Sequence, residues 1–253
     1  MRTPLKNQTT HENQLLGAFP FAARQLLEQH LEPVEMDLGA TICEAGGQLK
    51  HAYFPQGCVL SLLTVLENGS EIECANIGRE GAFGLFAAMY SGVSYNRCTI
   101  QLEGSMLRCR IEPLRELFQH DLNIQDLFVS FSETLLSQVM QTVGCNSLHS
   151  VEERMCRWLL MMHDRAEGDR LTYTHEFLAR IMGANRTSIT HAAQSLQRKG
   201  LITYRRGLMQ IEDRVGMEAE ACECYEIVRK RFDAFLTPPP SASQKTTGHR
   251  VKE

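Results

Sequence analysis

Residues 174–211 read THEFLARIMGANRTSITHAAQSLQRKGLITYRRGLMQI, and the punctuation of this stretch decides the C-terminal fold. Thr174 is a helix N-cap type, and Glu176 in the first turn suits the positive end of the helix dipole. Phe177, Leu178, Ile181 and Met182 make one apolar face at helical spacing. Gly183 ends that helix, as a left-handed glycine does just past a C-terminus. Asn185 then caps a second helix over 186–199, with Ile189, Ala192, Ala193 and Leu196 as its inner face. Arg186, Thr187, Ser188, Thr190, His191 and Gln194 face outward, and Gly200 stops the helix. Two short apolar segments, 201–204 and 208–211, flank Arg205-Arg206-Gly207. Two helices joined by a glycine turn and followed by a basic hairpin are a winged helix-turn-helix, whose second helix enters the DNA major groove.

The charge distribution agrees. The chain has 253 residues, room for two domains, and a net charge of −4. Residues 170–211 nevertheless hold seven basic side chains against one acidic, while residues 1–130 hold nine against fifteen. A local basic patch in an acidic protein is what phosphate contact requires. Arg reads guanine bidentately and Gln reads adenine. The expected DNA contacts are therefore Asn185, Arg186, Thr187, Ser188, Thr190, His191 and Gln194 on the helix, with Arg205 and Arg206 on the hairpin.

Upstream, residues 1–12 read as a flexible tail and residues 13–31 as a short helical pattern. Apolar or alternating segments at 52–54, 59–65, 71–77, 98–102 and 106–111 predict a run of short strands, hence a small barrel or sandwich. Asn68-Gly69 predicts a hairpin with a type I′ turn. Pro113 marks a helix start. Ile124, Phe128, Phe131, Leu135, Gln138 and Thr142 step by 4, 3, 4, 3 and 4, a coiled-coil-like seam. The seam suits a helix packing on its own domain or a dimer helix, and we expect the dimer helix, ending where Gly144-Cys145-Asn146-Ser147 breaks the pattern. A second amphipathic helix follows from Val151 to Met162, and a C-terminal helix covers 218–235. The Pro- and Ser-rich tail from Thr237 cannot bury a core and is expected to be disordered.

The fold class is thus α+β, with a β-rich domain over 13–120, a dimerisation helix over 121–146, a winged helix-turn-helix domain with its C-terminal helix over 147–236, and tails at 1–12 and 237–253.

Other chemistry is not expected. The nine cysteines are scattered and odd in number, so reduced thiols are the reading for a cytoplasmic chain. Cys222-Glu223-Cys224 would need two more ligands nearby to hold a metal, and no metal is expected. Glu71, Glu73, Arg79 and Glu80 read as solvated strand faces, and His149 and His163 as surface or satisfied histidines. No nucleophile elbow, P-loop or dinucleotide fingerprint is present, so an enzyme is not expected. No apolar run approaches the ~20 residues of a membrane span. The N-terminus lacks the apolar stretch of a signal peptide, which places the chain in the cytoplasm.

From Thr174 to His191, through Leu201-Ile202 and Arg206-Gly207 to Ile211-Glu212-Asp213, the sequence resembles regulators related to the cyclic-AMP receptor protein and the fumarate-nitrate regulator, the Crp/Fnr family. The resemblance implies a β-roll effector domain, a long dimer helix and a winged helix-turn-helix, in that order. It implies base contacts at Arg186, Thr187 and His191. Arg186 matches the family's frequent residue while Thr187 and His191 depart from it, which implies a different target site. The family's phosphate-binding turn aligns loosely with Gly84 and Leu85, and its Arg turn with Arg97 and Cys98, making those four the candidate effector contacts. The Glu that holds a ribose hydroxyl is missing from Phe83-Gly84-Leu85-Phe86, so cyclic-nucleotide binding is not expected. The first cysteine is Cys43, so the N-terminal cluster that would hold an iron–sulfur centre is missing as well. The expected partners are a pseudo-palindromic duplex, a second copy of the chain and RNA polymerase, with no membrane. The alternative reading is a sensor that binds an effector and acts mainly through protein contacts.

Overall fold

The computed structural model describes residues 12–90 and 92–237, so most of both expected tails lies outside it. Two short helices open the described chain, α1 (Gln14–Gly17) and α2 (Phe21–Glu28). Then come strands β1 (Leu31–Met36), β2 (Thr41–Cys43), β3 (His51–Pro55), β4 (Val59–Val65) and β5 (Glu71–Ile77), the short helix α3 (Leu85–Met89), and strands β6 (Arg97–Leu102) and β7 (Gly104–Arg110). They form two antiparallel sheets, β1-β7-β3 and β2-β6-β4-β5. Phe54, Leu60, Ile77, Ile100 and Met106 are fully buried between and beneath them. This is the β-roll. Strands β1 and β2 escape the sequence reading because one carries Pro33 on a sheet edge and the other has three residues.

The β4–β5 hairpin forms at Asn68-Gly69, but by another turn than type I′. Among the described non-glycine residues only Arg206 has a positive φ, so Asn68 does not. Gly69 (φ 80°) donates to the Leu66 carbonyl at 2.9 Å, and the Asn68 side chain accepts from the Ser70 amide at 2.9 Å. A turn with negative φ closed by one left-handed glycine is the three-residue hairpin loop.

Helix α4 (Ile111–His120) leads to α5 (Leu122–Leu148), 27 residues long and capped by Asp121. It runs through Gly144 and so overturns the expected break at 144–147. One glycine inside a long helix costs about 1 kcal/mol relative to alanine, too little to stop it. The seam is also reassigned. Ile124, Phe128, Phe131, Leu135, Gln138 and Thr142 are all buried within the chain, where α5 packs on α4, β5 and the C-terminal helix. The opposite face carries Leu122, Val129, Leu136, Met140 and Val143, each 53–74 % exposed. With exposed Asp126, Glu133 and Ser147 these residues repeat the same alternation of four and three. Among the described residues no helix is long and apolar enough to cross a membrane.

The C-terminal half comprises α6 (Val151–His163), β8 (Arg170–Thr172), α7 (His175–Ile181), α8 (Arg186–Arg198), β9 (Ile202–Arg205), β10 (Leu208–Ile211), α9 (Arg214–Glu220) and α10 (Cys224–Leu236). Ser150 and Glu153 start α6 with a capping box. The expected helix over 218–235 is two helices, because Ala221 turns to extended backbone and leaves Cys222 and Glu223 in a bend.

This half is seated on the β-roll, which corrects two further expectations. Glu73 and Glu80 are not solvated; they are 8 % and 7 % exposed. Glu73 accepts from Ser61 Oγ (2.6 Å), Gln101 Nε2 (2.6 Å), Asn76 Nδ2 (3.2 Å) and Trp158 Nε1 (3.0 Å). Burial pushes its carboxyl above the usual range, against those four donors. Burial acts likewise on Glu80, but the Arg165 guanidinium at 2.7 Å outweighs it and holds the carboxyl low. Tyr173 donates to the Gln101 carbonyl at 2.9 Å, completing the seam between the halves.

Candidate nucleic-acid interface

The capping residues do what their types predict. Thr174 Oγ1 accepts from the Phe177 amide at 3.1 Å, and Asn185 Oδ1 from the Ser188 amide at 2.7 Å. Between them Gly183 (φ 57°) donates to the Arg180 carbonyl and Ala184 to the Ala179 carbonyl. These paired bonds are a Schellman motif, which reverses the chain within two residues. Gly200 (φ 73°) repeats the device after α8, with Leu201 donating to the Leu196 carbonyl.

Ile189, Ala192, Ala193 and Leu196 are buried, and the small Ala192-Ala193 face lets α8 lie close to α6. Asn185, Arg186, Thr187, His191, Gln194 and Arg198 are exposed or nearly so along the other side. Ser188 and Thr190 are half-buried. Thr190 is turned toward α7: its Oγ1 donates to the Arg186 carbonyl at 2.9 Å and meets His175 Nδ1 at 3.0 Å. It is better placed to hold the two helices together than to reach a base edge.

The hairpin joins β9 and β10, and β8 adds a third strand, too short at three residues to show as a pattern in the sequence. Arg206 (φ 52°) and Gly207 (φ 84°) occupy the hairpin tip, the two left-handed positions of a type I′ turn. Left-handed backbone disfavours a bulky L-residue, so the tip keeps an exposed arginine at some conformational cost. The wing is held from below. The Tyr204 amide donates to Gln197 Oε1 at 3.0 Å, and the Tyr204 ring stacks on His175 with centroids 4.3 Å apart. Burial, and then Arg186 nearby, push His175 below the ordinary histidine range, so the stacked ring is neutral at neutral pH. Sequence reading misses His175 because its partners lie 15 and 29 positions away.

Two of the seven cations of the basic segment are engaged in ion pairs: Arg180 with Glu71, and Lys199 with Glu152 and Glu220. Among the described residues Arg170, Arg186, Arg198, Arg205 and Arg206 form none. The uncompensated charge is thus concentrated on the outer face of α8, the wing tip and the start of β8.

The candidate effector contacts are arranged otherwise. Gly84 (φ 96°) begins α3, and a Cβ there would stand 2.9 Å from the His51 carbonyl oxygen and 3.0 Å from Ala52 Cα. Close strand packing therefore explains this glycine without a ligand. Leu85 is buried. Arg97 is paired with Glu44 at 2.7 Å and with Glu71, and Cys98 is fully buried. Of the expected effector contacts, Arg97 thus has its guanidinium engaged by two carboxylates, and Cys98 presents no free surface.

The expectation about Cys222 and Cys224 also changes. Cys145 and His149, from the end of α5, meet them in the α9–α10 bend, and the four ligand-type atoms lie within 4.8 Å of one another. The premise that no further ligands stand nearby is overturned. Their 77-residue separation in sequence hides the cluster.

Residues 153–220 match the family described as a Crp-like helix-turn-helix domain. No curated protein matches the sequence. Solved structures share the architecture at low identity. A Eubacterium rectale protein assigned to the Crp/Fnr regulators superposes with a TM-score of 0.66 at 19 % identity, covering 83 % of this chain and 99 % of that one. FixK2 from Bradyrhizobium japonicum gives 0.64 at 13 %, covering 76 % and 98 %. A Crp-family transcriptional regulator from Thermus thermophilus gives 0.61 at 20 %, covering 74 % and 96 %. Residues 153–220 are thus a Crp-like helix-turn-helix domain, and the described residues as a whole share the fold of these structures.

Proposed function

We propose that the protein is a cytoplasmic homodimer that binds a pseudo-palindromic duplex sequence-specifically, under control of a signal received at the β-roll. The outer face of α8 carries the reading, because it presents unpaired Arg186 beside Thr187, His191 and Gln194 on a helix capped and braced at both ends. Arg186, Thr187, His191 and Gln194 meet base edges, while the Asn185 and Ser188 end of the helix and the wing arginines meet phosphates. Two copies place two such helices in successive major grooves, about 34 Å apart. RNA polymerase is the expected protein partner of the bound dimer.

Arg186→Ala should weaken binding to the selected operator by about 5- to 150-fold per half-site, equivalent to ~1–3 kcal/mol, and relax preference at one base pair of each half-site. Selection from a random duplex pool followed by gel shifts measures both; an Arg186→Ala protein that matched wild type on that operator would remove Arg186 from base reading. Arg205→Ala and Arg206→Ala should instead weaken binding to all duplexes alike and lower the salt slope by about 1 for each phosphate no longer neutralised. A sequence-dependent effect would move these arginines from phosphates to bases.

The pairing of Arg97 with Glu44 and Glu71 supports a β-roll that does not take a cyclic nucleotide phosphate. Operator affinity should be the same with and without cyclic AMP. The alternative, a sensor acting through protein contacts, would be favoured by absence of salt-dependent binding to any duplex.

A further inference from the structure

We propose that Cys145, His149, Cys222 and Cys224 form a mononuclear Cys3His site for a thiophilic divalent cation of the zinc class, fastening the end of α5 to the bend between α9 and α10. Scattered through the sequence, these cysteines read as inert thiols. The geometry is that of a preformed ligand set. Cys145 Sγ lies 3.5 Å from Cys222 Sγ, and Cys224 Sγ lies 3.5 Å from His149 Nδ1. Sulfur at about 2.3 Å and nitrogen at about 2.0 Å from one tetrahedral ion stand roughly 3.5–3.8 Å apart. The widest separation in the cluster, within 4.8 Å, closes to that value with small side-chain rotations. Three thiolates and an imidazole suit zinc and exclude the oxygen-seeking cations. Cys145 and Cys224 are fully buried and Cys222 is 5 % exposed, which is the closed surrounding of a structural site.

Two independent observations surround this set. The first is an outer shell. His149 Nε2 lies 3.3 Å from the Glu223 carboxylate, leaving Nδ1 to face the sulfurs, and Gln141 Nε2 donates to Cys224 Sγ at 3.0 Å. A carboxylate behind a ligating histidine fixes the ring and its tautomer. The second is charge. Arg154 and Arg157 are buried and, among the described residues, form no ion pair with a carboxylate. The Nε of each also has no hydrogen-bond partner. Arg157 lies against Cys145. When the ion binds, three thiol protons leave to solvent and the site carries one net negative charge, which these guanidinium groups offset. The pair of arginines, unexplained by acids, is accounted for by the occupied site.

The test uses the full chain, kept reduced and metal-free under anaerobic conditions and titrated with Co2+ and then Zn2+. We expect about one Co2+ per chain with the intense visible bands of a tetrahedral ion and thiolate charge-transfer bands, both abolished by one equivalent of Zn2+. Cys224→Ser should weaken Zn2+ binding by at least about 100-fold, and Cys43→Ser in the β-roll should leave it unchanged. If Cys224→Ser does not fold, alkylation of the wild type decides instead. Zinc should then slow modification of Cys145, Cys222 and Cys224 selectively. A weak octahedral spectrum, an unaltered titration in Cys224→Ser, protection spread over the other cysteines, or a Cys145–Cys222 disulfide in the reduced preparation would overturn the site. None of these readouts depends on which DNA the protein binds.

Discussion

Phe131→Ala should lower folding stability by about 3–5 kcal/mol while leaving the chain's state of association unchanged. Phe131 is 1 % exposed and sits where three parts of the fold meet. Its ring lies so near Gly81 that any Cβ there would collide with it, and its centroid is 5.9 Å from that of Phe235 on α10. Truncation would open a cavity that the β-roll on one side and α10 on the other are too tightly packed to fill. Urea titration should show a lower midpoint with an unchanged slope. Sedimentation in the absence of urea should return the wild-type mass. A loss of association with little loss of stability would restore this seam to the interface role that its periodicity implies.

Leu136→Asp should do the reverse. Leu136 is 53 % exposed, midway along the outer stripe of α5, with exposed Met140 and Val143 one turn and two turns on. In a parallel two-fold pairing of two α5 helices each stripe residue lies near its own copy, so the substitution places two like charges in apolar surroundings. The dissociation constant of the proposed dimer should rise by at least about 100-fold, and operator affinity should fall with it, because in that arrangement a single protomer spans one half-site. Unfolding of the separated chain should move by less than about 0.5 kcal/mol, as for other exposed positions. Light scattering at micromolar concentration gives the mass; an unchanged dimer would show that the outer stripe is not where copies meet. Asp126 and Glu133 interrupt the N-terminal part of the stripe, which concentrates the expected contact between Leu136 and Val143.

These two experiments mark where sequence reading stops. A four-three alternation identifies a helix that packs, but α5 carries that alternation on two faces, and nothing local says which one its own chain covers. The reading module over 174–211 is far more legible. Thr174, Gly183, Asn185, Gly200 and Arg206-Gly207 each act within a few residues of themselves, through caps, Schellman bonds and a tight turn. Short-range bonds leave short-range patterns. Glu73 illustrates the contrary case. Its alternation with neighbours suggests solvent, yet Trp158, 85 positions later, arrives to cover it. The thiol cluster is hidden for the same reason, since Cys145 and Cys222 are adjacent only after α10 has folded back onto α5. The candidate effector region is partly legible: the absence of the Glu that the family resemblance calls for is visible, but the two carboxylates that pair with Arg97 come from elsewhere in the β-roll.

Trp158 has one more implication. It is the chain's only tryptophan, and its indole N–H is tied to the buried carboxylate of Glu73 across the seam between the β-roll and the DNA-reading half. The protein therefore contains a native optical gauge of domain seating. When the halves separate, the indole passes from a dry, hydrogen-bonded slot into water and its emission moves to longer wavelength. Any condition or compound that unseats the halves would register on that colour change alone, without a label and before any operator is known.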